Sequence, residues 1–353
     1  MDGKDLSRTE AAEVMNELTN GDLHDAQIAA FLTALNMKGF TSEEIAGCAE
    51  ILRAKRIRLD YPQPLLDTCG TGGDGLGTFN ISSFTALICA ACGVKVAKHG
   101  NRAVSSLSGS ADFYRALGIN IDISPEEARI LLDQTSFTFM FAPYYHGAMR
   151  YAASVRRGLG MKTIMNVLGP LANPAEADYQ LLGVYDRNLL KRVARAAKAL
   201  GVKRILTVHG QDGEDEISAA APTEIFLIDE EGKEHFEIVR PEDFGFHRFR
   251  VDQILGGTAD ENAAVAKRML SADIDELLCP TPSLQAGAAE ASLAAVVISV
   301  LLNSGAALFT AGAAESIAAG VEQAKQVFRD GTLRRKTAEI VKASQVFSER
   351  AVS

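Results

Sequence analysis

Between a short apolar run and a long apolar segment the chain reads Asp67-Thr-Cys-Gly-Thr-Gly-Gly-Asp-Gly-Leu-Gly-Thr-Phe-Asn-Ile-Ser-Ser83, with five glycines, two aspartates and five hydroxyl side chains. The pattern predicts a strand that turns sharply into a helix, because glycine takes positive φ and lets a backbone amide approach a neighbour closely. Its amides, its hydroxyls and the N-terminus of the following helix aim donors the same way, which suits phosphate or pyrophosphate. Taken alone, the stretch equally describes an ordinary strand-to-helix connection.

A second loop narrows the choice. Val94-Lys-Val-Ala97 reads as a short strand ending in Lys98-His-Gly-Asn-Arg102, and Ala103-Val-Ser-Ser-Leu-Ser-Gly-Ser-Ala-Asp112 follows, so two cations, an amide and four serines trail a strand end. In an open α/β sheet ligands gather outside the carboxyl ends of the strands, and two such loops on neighbouring strands face one crevice. A solvated polar loop is the plain alternative for the basic tetrad alone. Asp215-Glu216 follows a strand expected at 205–208 and the turn His209-Gly-Gln-Asp-Gly213, which sets the pair at another strand carboxyl end. Two carboxylates suit magnesium, which takes oxygen ligands and keeps several waters, although adjacent acids on a loop are ordinarily just solvated.

The rest of the chain frames these loops. In the first sixty residues, Ser7-x-x-Glu10 reads as a capping box before Ala11, Val14, Met15 and Leu18, with Gly21 placed to end that helix. Ile28, Phe31, Leu32 and Leu35 repeat the helical spacing up to Gly39, and Thr41-x-x-Glu44 opens a further helix. Lys55-Arg-Ile-Arg58 reads as a solvated helix end, and Tyr61-Pro-Gln-Pro64 marks a boundary that no helix crosses. From Leu65 onward short β-branched or aliphatic runs alternate with helical segments, as in a mainly parallel sheet flanked by helices. Residues 223–229 and 235–239, joined by Glu230-Glu-Gly-Lys233, read as an antiparallel hairpin. The expected fold class is therefore two-lobed α/β, with a small all-helical domain at residues 1–64 and a large α/β domain at 65–345.

Composition excludes more than it selects. With 36 Lys+Arg against 45 Asp+Glu and a net charge of −9, the chain is poorly suited to nucleic acid, where affinity comes from neutralising phosphates, so any phosphate site must be local. The cysteines Cys48, Cys69, Cys89, Cys92 and Cys279 are odd in number and mostly in apolar contexts, which points to reduced thiols and a cytoplasmic protein. Cys89 and Cys92 lie in one apolar helical run with no second pair, an arrangement that argues against a metal there. The polar N-terminus lacks a secretory pattern. The apolar tract from Ala291 to Leu302 is too short to cross a bilayer, ends at Asn303-Ser-Gly305, and is expected to be a buried helix rather than a membrane segment.

In order and over nearly the whole length, these motifs resemble the anthranilate phosphoribosyltransferase family. The resemblance is carried by Gly70-Thr-Gly-Gly-Asp74 with Asn80-Ile-Ser-Ser83, by Lys98-His-Gly-Asn101 and by Val155-Arg-Arg157. It continues in Asn166-Val-Leu-Gly-Pro-Leu-Ala-Asn-Pro174, Asp215-Glu216 and Gly256-Gly-Thr-Ala-Asp-Glu-Asn262. It implies a hinge near residues 164–184 that returns the chain to the helical lobe, and a homodimer built through that lobe. The implied activity is magnesium-dependent transfer of the phosphoribosyl group of phosphoribosyl pyrophosphate to the amine of anthranilate, in tryptophan biosynthesis. By the same resemblance the phosphoribosyl pyrophosphate site comprises Gly70, Gly73, Asp74, Thr78, Asn80, Ile81, Ser82 and Ser83, facing Lys98, His99, Gly100, Asn101, Arg102, Ala103, Val104, Ser105, Ser106 and Ser110. Gly70, Asn101 and Arg156 would contact anthranilate, about two magnesium ions would sit on Ser82, Asp215 and Glu216, and Lys98, Asp215 and Glu216 would carry the catalysis.

Such a reaction breaks the bond from ribose C1 to pyrophosphate through a transition state of oxocarbenium character, so the charge growing on the leaving group is the difficulty. Asp74 would repel pyrophosphate directly, and its use would run through a metal or the ribose. Arg156 offers the planar fork that a carboxylate prefers. An aromatic amine is already unprotonated at neutral pH, so His99 would orient the acceptor, take up the released proton, or serve a structural hydrogen bond. Departures from the family pattern are Gly147 where proline is common, Lys162 for arginine, Glu214 for leucine and Leu107 for lysine. Gly147 bears on acceptor specificity and Glu214 on magnesium affinity. The rival readings are a pyrimidine nucleoside phosphorylase, and a non-catalytic relative that binds nucleic acid.

Overall fold

The computed structural model describes residues 3–103, 107–278 and 288–350. It opens with three helices, α1 (Arg8–Asn20), α2 (Asp25–Lys38) and α3 (Ser42–Ala54). Both expected capping boxes form, Ser7 with Glu10 and Thr41 with Glu44, and Gly21 closes α1 at φ 85°. Glu44 does more than cap: fully buried, it accepts the Leu6 amide at 2.9 Å and the Lys38 ammonium at 2.8 Å, which ties α2 to α3.

Seven strands make one sheet: β1 (Leu66–Gly70), β2 (Val96–Gly100), β3 (Phe137–Phe141), β4 (Tyr179–Gly183), β5 (Arg204–Gly210), β6 (Thr223–Ile228) and β7 (Glu234–Val239). Their order is β3-β2-β1-β4-β5-β6-β7, with β1 to β5 parallel and the expected hairpin β6-β7 adding two antiparallel strands at one edge. Helix α4 (Ile81–Ala91) links β1 to β2, and α5 (Ser110–Leu117) and α6 (Pro125–Thr135) link β2 to β3. Three helices precede β4, namely α7 (Ala142–Tyr145), α8 (Ala153–Leu159) and α9 (Ile164–Leu171), and α10 (Leu190–Ala199) precedes β5. The remainder is helical: α11 (Ala259–Ser271), α12 (Ile274–Leu277), α13 (Ala288–Thr310), α14 (Ile317–Arg329) and α15 (Thr332–Arg350). The chain leaves β1 toward β2 and β3, then returns to β4 on the other side of β1. The strand order therefore reverses at β1/β4, and the carboxyl end of that pair is where an open sheet offers a ligand crevice.

One core lies between the sheet and α4, α5, α13 and α14; a second joins the N-terminal helices to α9, α10 and the opposite face of the sheet, from Ala11, Leu32 and Ile45 to Leu182, Ile205 and Phe226; a third, smaller one gathers Leu59, Leu65, Leu131, Met140 and Tyr145. Two sequence expectations change here. Residues 55–58 are only partly a solvated helix end: Ile57 and Arg58 are exposed, but Arg56 is buried and ion-paired to Glu176, and Lys55 donates to Thr19 Oγ1 at 2.7 Å. These cations bind the N-terminal helices together and to the segment that follows α9. The apolar tract does not stop at Asn303 either, since α13 runs on to Thr310 and its stretch Ala289–Thr310 is long enough to span a bilayer. That stretch is 94% buried within the protein, so it is a core helix by packing rather than by shortness. Asn303 stays in the helix because its side chain finds partners, donating to Ile217 O at 3.0 Å and accepting the Ile217 amide at 2.9 Å. Gly305 marks close packing inside the helix and not its end, since a Cβ there would meet Ile317 O of α14 at 2.7 Å.

Candidate active site

The turn after β1 behaves as its composition predicts. Gly72, Gly73, Gly75 and Gly77 hold φ of 65°, 75°, 81° and 67°, a region that side chains rarely tolerate. Its carboxyl flank is braced from a distance in sequence: Thr78 pairs with Leu255, the Phe79 amide donates to Ile254 O at 3.0 Å, and the Gly256 amide donates to Gly77 O at 2.9 Å. Asn80 accepts from Ser108 Oγ at 3.0 Å and from Asn262 Nδ2 at 2.8 Å, while Asn262 Oδ1 takes the Gly257 amide at 2.8 Å. The distal glycine motif, through its last residue Asn262, is thus a brace for the first loop.

Asp215 and Glu216 are brought to this turn, but not as solvated loop acids; they are only 9% and 8% exposed. The Gly72 amide donates to Asp215 Oδ2 at 2.7 Å, and the Ser82 amide at the start of α4 donates to Glu216 Oε1 at 3.0 Å. Two donors expected to face phosphate are therefore engaged by carboxylates. The approach is close enough that a Cβ on Gly70 would overlap the Asp215 carboxylate, and one on Gly183 would overlap the Asp215 backbone carbonyl. Asn303 of α13 fixes the backbone just beyond, at Ile217.

Lys98 also departs from expectation. It lies inside β2 rather than in a loop after it, its ammonium buried and donating to Thr68 O and, at 3.3 Å, to Ser82 Oγ. Burial pushes the Lys98 pKa down, opposed by the nearby Asp67, whose own carboxyl is pushed up by the same burial while it accepts Asn173 Nδ2 at 2.8 Å. Burial raises the pKa of both Asp215 and Glu216; Asp74 adds repulsion at Asp215, and Asp215 adds it at Glu216. Glu214, fully buried, is pushed well up by burial and then by Asp212. Lys162 lays its ammonium 4.2 Å from the Tyr185 ring centroid, lies near Gly73, and lowers the Asp215 pKa somewhat.

These donors fit a hard divalent cation. Asp215, Glu216 and the Ser82 hydroxyl offer only oxygen, and the paired carboxylates are held in a place that penalises their charge. Among the described residues no three His, Cys, Asp or Glu side chains gather into a ready metal cage.

The other expected contacts are distributed unevenly. Ile81 and Ser83 are core positions, with the Ser83 carbonyl accepting Tyr114 OH at 2.8 Å. Asn101 and Arg102 are exposed; Asn101 Oδ1 accepts the Arg102 amide at 2.7 Å and Asn101 O accepts Ser110 Oγ at 3.3 Å. Gly100 ends β2, and the Ala103 amide donates to Asp112 at 3.2 Å. Val104, Ser105 and Ser106 lie outside the described residues, as does Cys279, whereas Cys48, Cys69, Cys89 and Cys92 are free thiols. Leu107 is exposed.

His99 packs against a residue that was not singled out as a ligand, His146, with ring centroids 5.0 Å apart. Both rings are buried and both Nε2 atoms lack a hydrogen-bond partner. Burial drives their pKa values down to about 3 and about 4, so both are neutral imidazoles. Gly147 opens a 3-10 turn (Gly147–Ala152) and lines a cleft of about 470 Å³ with Lys55, Tyr144, Tyr145, Arg150 and Tyr151, apart from the carboxylates. Arg156, on α8, is half-buried and has no ion pair among the described residues; burial lowers its pKa.

Comparison with known proteins agrees with this architecture. Residues 1–56 match the glycosyl transferase family helical bundle domain, and residues 62–333 match the glycosyl transferase family a/b domain. Anthranilate phosphoribosyltransferase from Symbiobacterium thermophilum is 45% identical over 95% of this chain and 92% of its own, and that from Herpetosiphon aurantiacus is 42% identical over 96% and 95%. The crystal structure of anthranilate phosphoribosyltransferase from Thermus thermophilus superposes with a TM-score of 0.85 at 37% identity, covering 97% of each chain. The enzyme of Saccharomyces cerevisiae, solved in complex with PRPP and Mg, shares the fold at 24% identity and a TM-score of 0.84, over 97% of this chain and 94% of its own. With both domain models in sequence order and full-length relatives well above the level at which fold and family diverge, the chain belongs to the anthranilate phosphoribosyltransferase family.

Proposed function

We propose that this chain transfers the phosphoribosyl group of phosphoribosyl pyrophosphate to the amine of anthranilate, forming N-(5-phosphoribosyl)anthranilate and pyrophosphate in tryptophan biosynthesis. The observation that carries the proposal is the pair Asp215 and Glu216, buried at the strand-order reversal and held by amides of the glycine turn and of α4. Asp215, Glu216 and Ser82 would hold magnesium, about two ions, which when bound offsets the charge that builds on the leaving pyrophosphate. The residues of the turn and of the β2 end, from Gly70 to Ser83 and from Lys98 to Ser110, then position the donor's phosphates and ribose.

Arg156 pairs with the acceptor carboxylate, a role supported by its lack of any ion pair among the described residues. Because the attacking amine is neutral, positioning matters more than proton removal. The neutral His99 is too weak a base to store a proton and acts as a hydrogen-bonding group. We further assign residues 1–64 to the helical domain and 65–345 to the α/β domain, with 164–184 as the hinge, a homodimer through the helical lobe, and a cytoplasmic location.

Purified protein given anthranilate, phosphoribosyl pyrophosphate and magnesium should consume anthranilate, seen as decaying fluorescence, and should stop when chelator is added. Thymidine with phosphate should release no free base. The reverse pattern would replace this reading with the phosphorylase.

A further inference from the structure

Pyrophosphate at the glycine turn needs positive charge, yet donors there are already committed. The Gly72 amide is engaged by Asp215 and the Ser82 amide by Glu216, and the buried Lys98 ammonium is directed to Thr68 O and Ser82 Oγ. Lys162, in contrast, has neither a hydrogen bond nor an ion pair among the described residues. It stands in the short linker between α8 and α9, where Gly160 closes α8 at φ 59° and the Thr163 amide donates to Asn166 Oδ1 at 3.1 Å as α9 opens. Its backbone is therefore held on both sides.

The side chain crosses to the turn. A Cβ on Gly73 would stand 3.4 Å from Lys162 Cε, and the ammonium lies 4.2 Å from the Tyr185 ring centroid. Tyr185 is tied to the same turn, since its amide donates to Thr71 Oγ1 at 3.0 Å and the Thr71 amide donates to Gly183 O at 2.9 Å. The ring is a platform that holds the ammonium beside the turn. An ammonium resting on an aromatic face is held only weakly and keeps its N–H groups available, whereas one donating to a phosphate oxygen makes a charge-assisted hydrogen bond.

Resting on the reading of this turn as the phosphoribosyl pyrophosphate site, we propose that Lys162 is a further binding residue for the donor. Its ammonium contacts the pyrophosphate group and offsets the charge that grows there as the bond to ribose C1 breaks. Because Lys162 follows directly on α8, which carries Arg156, one stretch of chain serves both substrates.

The test is calorimetric titration of the full chain with pyrophosphate at saturating magnesium, and separately with ribose 5-phosphate. Native protein is compared with Lys162→Met, Lys162→Gln and Lys162→Arg; methionine keeps a stem on Tyr185, and glutamine serves if that variant fails to fold. Pyrophosphate affinity should fall roughly 10–100-fold in the neutral variants, the scale of a hydrogen bond to a charged group, and return to within about threefold of native in Lys162→Arg. The kcat/KM for phosphoribosyl pyrophosphate should fall in step, while KM for anthranilate and the ligand-free melting temperature stay nearly unchanged. Native pyrophosphate affinity in both neutral variants would make Lys162 a packing partner of Tyr185 alone and overturns the proposal. A loss confined to ribose 5-phosphate also overturns it, by moving the ammonium to the other end of the donor. If native protein bound neither probe, the reading of the turn itself would fall, and the role of Lys162 with it.

Discussion

Two neighbouring regions of this protein bury polar groups in opposite ways. At the carboxyl ends of β1, β4 and β5, Glu214, Asp215 and Glu216 are buried acids whose pKa values are pushed up. On the flank made by β2, the 3-10 turn and α8, His99 and His146 are buried neutral imidazoles and Arg156 is a guanidinium without an ion pair among the described residues. The first region is short of positive charge, the second of a carboxylate. A protein seldom tolerates either alone. On the function proposed above, each region would be completed by a different ligand, a cation with pyrophosphate at one and an aromatic acid at the other.

The largest effect should come from emptying the acidic region of charge. Asp215→Asn with Glu216→Gln should lower turnover roughly a thousandfold or more, since the leaving group loses its counter-charge, while the metal-free fold becomes no less stable. Turnover within a few-fold of native at limiting magnesium would show that the two regions do not divide the work as argued.

Next in size is the basic flank. Arg156→Ala should cost about 1.5–3 kcal/mol in kcat/KM for anthranilate, the scale of a hydrogen bond to a charged group. Binding of phosphoribosyl pyrophosphate, followed by calorimetry, should stay nearly unchanged. Equal losses for both substrates would move Arg156 to the donor side and erase the contrast.

How much of this contrast could be read from the sequence depends on whether local pattern or long-range packing decides. The glycine turn, the capping boxes of α1 and α3 and the β6-β7 hairpin announce themselves in local spacing, and all appear where expected. What was not legible depends on partners far along the chain. Lys98 sits within β2 because Thr68 and Ser82 give its ammonium acceptors underneath the turn. Arg56 is buried because Glu176 lies across from it. Asn303, which reads locally as a helix stop, continues α13 because its amide closes on Ile217 beside the acidic pair. His146 offers no motif at all; only its contact with His99 marks it.

A smaller and purely steric prediction tests whether the acidic region is as tightly set as it looks. Gly183→Ala places a methyl group on the Asp215 carbonyl, with backbone rather than a flexible side chain in the way. It should destabilise the protein by about 1–3 kcal/mol and weaken the magnesium-dependent rise in melting temperature. Arg156-dependent use of anthranilate should suffer only through kcat, because the basic flank is untouched. A stable variant with a native magnesium response would mean that the β4 end has slack.

The smallest effect separates the regions by pH. The ordinary histidine value is 6.5, and burial lowers His99 to about 3 and His146 to about 4. From about pH 6.5 down to those values the unfolded chain binds protons that the folded chain refuses, so acidification removes stability on this flank. The acids work the other way: with their folded values raised, the folded chain binds more protons, and metal-free stability falls as pH rises from about 4. In the native protein the two trends partly cancel. His146→Gln should unmask the acidic trend, its stability relative to native increasing by on the order of 2 kcal/mol between pH 7 and pH 4 when urea unfolding is measured in chelator. A relative stability that does not change with pH would show that His146 is free to protonate in the folded state, and that the flank is not the dry, neutral counterpart of the carboxylates.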